Sequence, residues 1–262
     1  MTITSTDHVK VEKNNGVLTL TLNRPDSLNA FSAEMISTLK AEISLAKDDE
    51  QIRVIVLRGE GRAFSAGGDV KGMGAGSPTQ TYAHIGRLNE LIIQMQALEK
   101  PIICAVHGYA AGAGFNLALA SDLIVAEEGT KFILSFAKVG LISDGGGLYF
   151  LPRLIGIHRA KELLFTAKPI IAEEAKNLGI VNQIFTKERF REEVTAYATE
   201  LAQGPTVAYG FIKKIANQSL NATLEDVLEL ERITQATVVT TNDHKEGVSA
   251  FKEKRGPQFS GK

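Results

Sequence analysis

Three stretches of this chain carry residue types suited to handling a charged intermediate. The first two, Arg62-Ala-Phe-Ser-Ala-Gly-Gly-Asp69 and Val106-His-Gly-Tyr-Ala-Ala-Gly-Ala-Gly-Phe-Asn-Leu-Ala118, are loops of small residues, each following an apolar run. Small residues let a ligand approach the main chain closely and leave N–H groups able to donate to it. Either loop alone reads equally well as a tight turn. Together they could aim two N–H groups at one oxyanion, and each such preorganised donor contributes on the order of 3 kcal/mol to a transition state. Gly112-Ala-Gly114 is not a dinucleotide fingerprint, because Leu117 stands where its third glycine would fall. The third stretch, Leu141-Ile-Ser-Asp-Gly-Gly-Gly147, offers a carboxylate. Desolvation in an apolar pocket would raise the pKa of Asp144 toward neutrality, as a proton shuttle needs, whereas a following helix start would lower it. The competing reading is that Asp144 only N-caps that helix.

The elements that must hold these stretches follow from periodicity. Val17-Leu-Thr-Leu-Thr-Leu22 alternates with period two, as a half-buried strand does, and Asn23-Arg-Pro-Asp26 ends it with turn chemistry. Ser32 reads as the N-cap of a helix carrying Met35, Ile36, Leu39 and Ile43 on one face. Arg53–Leu57, Ile102–Val106 and Leu123–Ala126 are short apolar runs, as expected for strands covered on both faces. A helix is expected from about Tyr82 to Leu98, a short apolar helix from Phe115 to Ala120 after the glycine-rich turn His107–Gly114, and another opened by Asp144-Gly-Gly-Gly147. Strand, turn and helix in this rotation predict an α/β architecture with a largely parallel sheet. Beyond Gln203-Gly-Pro205 the pattern turns helical, so residues 1–203 are read as the core and 204–262 as a helical region. That region is too small to stand alone easily and should pack on the core or on another subunit.

Whole-chain properties narrow the function classes. The chain has 262 residues, 44% hydrophobic and 23% charged, with a formal net charge of −1. That balance argues against a general nucleic-acid binder. The single cysteine, Cys104, lies in an apolar strand and can form neither an intrachain disulfide nor a multi-cysteine metal site. His8, His84, His107, His158 and His244 show no metal-ligand spacing. No apolar stretch is long enough for a membrane span and no secretory signal is visible, so a cytoplasmic protein is expected.

Across nearly its whole length the sequence resembles the enoyl-CoA hydratase/isomerase (crotonase) family. The resemblance rests on Asn23-Arg-Pro-Asp-Ser-Leu-Asn-Ala30, Phe64-Ser-Ala-Gly-Gly-Asp69, His107-Gly-Tyr-Ala-Ala-Gly-Ala-Gly114, Leu151-Pro-Arg-Leu-Ile-Gly156 and Glu246-Gly-Val-Ser-Ala-Phe-Lys-Glu-Lys-Arg255. It implies a crotonase (ClpP/crotonase-like) spiral of ββα units with a C-terminal helical region. It also implies an acyl-CoA thioester as substrate, with no further cofactor and no metal, and a homotrimer or dimer of trimers. The oxyanion hole would be the N–H groups of Ala66 and Ala113. Ser27, Leu28, Ala30, Ala66, Gly67 and Asp69 would line the CoA path, Phe251 and Lys254 would approach its nucleotide end from the same chain or from a neighbouring subunit, and Phe136, Leu141 and Asn116 would line the acyl pocket.

The resemblance also bears on the reaction. Family hydratases use two glutamates, whose matching positions here are Asn116 and Phe136, and neither side chain exchanges protons usefully. Asp144 without those glutamates is similar to the isomerase branch, whose members shift enoyl-CoA double bonds or rearrange a 1,2-epoxyphenylacetyl-CoA. The rivals are a hydratase-type lyase and an inactive acyl-CoA-binding protein. The family's dehalogenases use a tryptophan that this chain lacks. The glycine-rich stretch Gly72-Met-Gly-Ala-Gly-Ser-Pro78 is read as a lid over the acyl end.

Overall fold

A computed structural model describes residues 6–69 and 77–262. Its centre is a six-stranded sheet of β1 (Val9–Asn14), β2 (Val17–Leu22), β3 (Val54–Gly59), β4 (Ile102–Val106), β6 (Leu123–Glu127) and β9 (Gln183–Phe185), in that spatial order. Only the β1–β2 hairpin is antiparallel; every other pairing is parallel. The alternation of β2 predicts one wet face, yet all of its residues except Thr19 are buried. The reason is its position inside the sheet, with Thr21 buried and satisfied by the Arg58 guanidinium at 2.8 Å.

Successive residues of the central strands serve opposite layers. Ile55, Leu57, Ile102 and Cys104 face a large core with α1 (Ala33–Asp48) and α2 (Pro78–Ala97). Val54, Val56, Ile103 and Ala105 face a smaller one closed by Phe190, Val194, Ala198 and Ala202 of α7 (Phe190–Ala202). Covering both faces is what makes these strands read as unbroken apolar runs. Cys104 is wholly buried and burial pushes its thiol up, so it is a core residue. Ser32 caps α1 as expected, accepting from the Met35 N–H at 3.1 Å.

A second, three-stranded layer contains β5 (Tyr109–Ala111), β7 (Lys131–Ile133) and β8 (Ile170–Ile171). Ser65 extends it through a parallel bridge to Ala110. The chain thus repeats a cycle: one strand in the large sheet, one rung in the small layer, then a helix. The cycle runs β3, Ser65, α2; then β4, β5, α3 (Ala113–Leu119); then β6, β7, α4 (Gly147–Ile155). This is the ββα spiral, and it places the two small-residue loops on adjacent rungs of one layer. Helices α5 (Ile157–Thr166) and α6 (Ala172–Asn177) lead on to β9.

Past Gly204 come α8 (Thr206–Ser219), α9 (Leu224–Val238) and α10 (Asn242–Glu253). Two cations, the part-buried Arg53 and the buried Lys213, tie this region to the spiral. Arg53 donates to Gly204 O, Thr206 Oγ1 and Phe259 O. Lys213 of α8 donates to Asp122 and to the Met95 carbonyl, both at 2.8 Å, with burial pulling its pKa down. In contrast, α9 buries none of its residues.

Candidate active site

The loop after β3 is fastened to its neighbours by main-chain bonds. Ser65 N donates to Tyr109 O and Ala111 N to Ser65 O, at 3.2 and 2.9 Å. Gly114 presses on Ser65 so closely that a Cβ there would lie 2.7 Å from Ser65 Cβ. Gly67, at φ +83°, sits against the start of α3, where a Cβ would lie 2.8 Å from Ala113 N. The two glycine loops are therefore in van der Waals contact, which only residues without side chains permit.

A hydrogen-bond account separates the N–H groups of these loops. Ala66 N already donates to Leu28 O at 2.8 Å and Gly67 N to Ser65 Oγ at 3.0 Å. The expectation that Ala66 supplies an oxyanion donor is thus corrected: its N–H is committed to holding the Ser27–Ala30 turn. Gly68 N and Ala113 N have no acceptor among the described residues. Ala113 is the first residue of α3, where an N–H has no helical partner.

Asp144 lies beyond the short 3₁₀ helix Ser135–Val139, immediately ahead of α4. It does not cap α4. The N-cap residue is Gly146, and no side chain caps that helix. Gly145 and Gly146 both take left-handed conformations, φ +52° and +85°, which turn the chain inward at Asp144. The Asp144 carboxyl is held above the ordinary carboxylate range by burial, against opposing pulls from the Asn116 amide, its own N–H and His84. Its Oδ1 is sealed from solvent without a hydrogen-bond partner. Leu88 of α2 walls this turn, 3.3 Å from where a Gly145 Cβ would stand.

Asn116 is entirely buried, so it is a strut behind the site and not the open acyl-pocket wall expected of it. Its Nδ2 donates to Ser143 Oγ at 2.9 Å and to the Asp144 carbonyl at 2.8 Å. Phe136 does face the glycine loop, its ring 3.6 Å from a Cβ built on Gly112. Leu141 is half exposed, linked to Phe136 through its N–H.

The family model for enoyl-CoA hydratase/isomerase matches residues 12–262. The chain belongs to the enoyl-CoA hydratase/isomerase family. It is 41% identical over 257 residues to the 1,2-epoxyphenylacetyl-CoA isomerase of Escherichia coli strain K12, covering 96% of this chain and 97% of the relative. It is 36% identical over 252 residues to the trans-2-decenoyl-[acyl-carrier-protein] isomerase of Streptococcus mutans, covering 95% and 96% respectively. Among solved structures, the enoyl-CoA hydratase of Bacillus anthracis superposes with a TM-score of 0.93 at 30% identity, covering 97% of this chain and all of that one. The fold is therefore the crotonase fold, and the chain's relatives are enzymes.

Within this family member the turn Ser27–Ala30 adjoins the loop 66–69. Arg24 donates to Ala30 O at 2.7 Å and pairs with Asp69 at 3.3 Å. Asp69 thus ties two loops together through Arg24. Asn29, buried and left-handed at φ +54°, locks the turn from below with bonds to Glu60 O, Ala63 O and Arg24 N. Phe251 and Lys254 are not brought there within one chain. They belong to α10 and its end, where Phe251, 86% exposed, borders a separate apolar cleft with Val207, Val248 and Phe259. The His107 ring is held at the turn by its Nε2 contact with Gly61 O at 2.9 Å. Gly72–Gly76 of the expected lid, with Lys71, lie outside the described residues. Among the described residues no helix is long and apolar enough to cross a membrane, and no cluster of three His, Cys, Asp or Glu could hold a metal.

Sequence reading missed four residues that shape the site: Gly68, Asn29, Ser143 and Leu88. Gly68 carried a signal in its place beside Gly67. Asn29 carried one in the turn motif itself, where an asparagine accepts a left-handed backbone and bonds it locally.

Proposed function

We propose that this protein is an acyl-CoA isomerase that shifts a double bond, or rearranges a ring-epoxide acyl-CoA, through a thioester enolate with Asp144 as its one acid/base. Asp144 takes a proton from the carbon next to the thioester carbonyl. The electron pair moves onto the carbonyl oxygen, giving an enolate held by the N–H groups of Gly68 and Ala113. The same carboxyl then returns the proton two carbons further along, and the double bond moves into conjugation. No water is consumed and nothing is oxidised.

The observation that carries this reading is the desolvated carboxyl of Asp144 beside Asn116, a side chain that cannot serve as the first hydratase glutamate. A carboxyl whose pKa is raised by burial is better suited to both accepting and returning a proton. Two isomerases among the relatives are consistent with it. Ser27, Leu28, Ala30, Gly67 and Asp69 belong in this reading to the CoA path, and Phe136 to the acyl pocket. The exposed Leu224, Leu228 and Ile233 on α9 fit a homotrimer or dimer of trimers, in which Phe251 and Lys254 would reach a neighbour's CoA.

The test compares wild type with Asp144→Asn on isomerisation of a 3-enoyl-CoA and hydration of a 2-enoyl-CoA. The reading expects isomerisation that the substitution abolishes. Hydration without isomerisation would move the assignment to a lyase, and binding without turnover of either substrate would make the protein an acyl-CoA binder.

A further inference from the structure

We propose that Asn116 is a positioning residue for Asp144: its amide nitrogen, bonded at once to the Ser143 hydroxyl and the Asp144 carbonyl, fixes the direction in which the Asp144 carboxyl enters the site. The inference rests on the reading of Asp144 as the acid/base. The turn that carries Asp144 belongs to no helix or strand, and two consecutive left-handed glycines follow it. Such a segment has little local structure to set its direction. Among the described residues, the side-chain hydrogen bonds that reach Ser143 and Asp144 from another element both come from Asn116 Nδ2.

The source of those bonds matters as much as their number. Asn116 stands three residues into α3, whose first residue is Ala113, so the two are about one helical turn apart, roughly 4.5 Å along the axis. The helix therefore sets the distance between an oxyanion donor and the base. Asn116 N closes that turn by donating to Gly112 O at 3.1 Å. The opposite wall is built to match: a Cβ on Gly147 would fall 2.7 Å from Asn116 Cγ and inside the contact distance of both Asn116 Oδ1 and Ser143 Oγ. Gly147 has an ordinary helical place at the start of α4, so the close approach to Asn116, and not backbone freedom, is what requires glycine there.

The test is the pH dependence of kcat and KM for a 3-enoyl-CoA, using the full-length protein as wild type, Asn116→Ala and Gly147→Ala. A base displaced by a fraction of an ångström should lower kcat on the order of a hundredfold while KM moves less than about threefold. The acid limb of the kcat profile should move to higher pH in Asn116→Ala, because the amide is among the groups that favour the Asp144 anion. A merely structural role would lower stability and leave that limb in place, and this outcome overturns the inference. If Asn116→Ala does not fold, Gly147→Ala decides alone: it keeps both side chains, and unchanged kcat with an unmoved limb overturns the inference. Loss of activity in Asp144→Asn with normal kcat in both other variants defeats only the role of Asn116. Wild-type activity in Asp144→Asn defeats the underlying reading, and the role of Asn116 falls with it.

Discussion

Gly67→Ala perturbs the contact on which the proposed oxyanion pair, Gly68 N and Ala113 N, depends. The new methyl would stand 2.8 Å from Ala113 N and would overlap Ala111 O, whereas ordinary contact begins at 3.4 Å. The loops must part by about 0.6 Å, the gap between those two distances, before the Ala113 contact alone is relieved. The backbone at φ +83° adds a left-handed penalty of roughly 1–2 kcal/mol for a residue with a Cβ. Forcing extra volume into a packed contact adds about 1–3 kcal/mol. Removing one oxyanion donor outright costs about 10²–10³ in kcat, so separating the Gly68 and Ala113 donors should cost on the order of 10². The assay follows formation of the conjugated enoyl thioester by absorbance, with urea unfolding run on the same preparations. A lower kcat, little change in KM and a loss of about 2–5 kcal/mol in stability are expected. A folded, destabilised Gly67→Ala with kcat within threefold of wild type would refute the assignment of the oxyanion donors to these loops.

Asp144→Asn should lose 10²–10⁴ in rate, roughly the contribution of a general acid/base, yet be more stable than wild type at neutral pH. The sign follows from burial raising the Asp144 pKa in the folded state. Between the ordinary carboxylate range and that raised value the native protein binds more protons than the unfolded chain, so this group's contribution to stability falls as pH rises through the window. Urea unfolding across pH should show the advantage of Asp144→Asn disappear below that window. Lys213→Met should cost about 3 kcal/mol by leaving the largely buried Asp122 carboxylate without its cation, and adding Asp122→Asn should recover most of the loss in the same measurement. Arg53→Met removes three anchors of the C-terminal region and should lower stability by about 2–4 kcal/mol while exposing the segment after Gly204 to limited proteolysis.

Much of the spiral was legible because burial dictates composition. Ile102–Val106 reads as a strand and is one to the residue, since apolar neighbours above and below tolerate nothing else. Ser32 announces α1 because an orphan N–H at a helix start needs an acceptor. The pattern places the start of the second helix near Tyr82, but the helix begins at Pro78 with a Ser77–Gln80 capping box, a signal present in the sequence and overshadowed by the glycines before it. β8 and β9 leave no such mark on the sequence. With two and three residues they have no period to detect, and only pairing with β7 and β6 makes them strands.

The site shows where such reading stops. Which side chains gather could be inferred, because loop composition and family likeness both point to the same glycines and the same aspartate. Which main-chain N–H remains available could not, because that depends on partners remote in sequence. Ala66 looks as suitable a donor as Gly68 until Leu28 O is found 2.8 Å away, and Leu28 reaches that position only because its left-handed backbone and buried Asn29 turn the chain there. An N–H group serves a ligand only if the fold has left it without an acceptor. The same holds for Asn116, which has the composition of a pocket residue and the geometry of a brace: its amide is already engaged by Ser143 and the Asp144 carbonyl. Replacing it with the glutamate of a hydratase would therefore not install a second base. It would exchange both donations for a carboxylate beside Asp144, raising the Asp144 pKa further, and Asn116→Glu should lose isomerisation without gaining hydration. Measurable 2-enoyl-CoA hydration by Asn116→Glu would show that the position had kept its freedom to face a ligand, contrary to its two bonds.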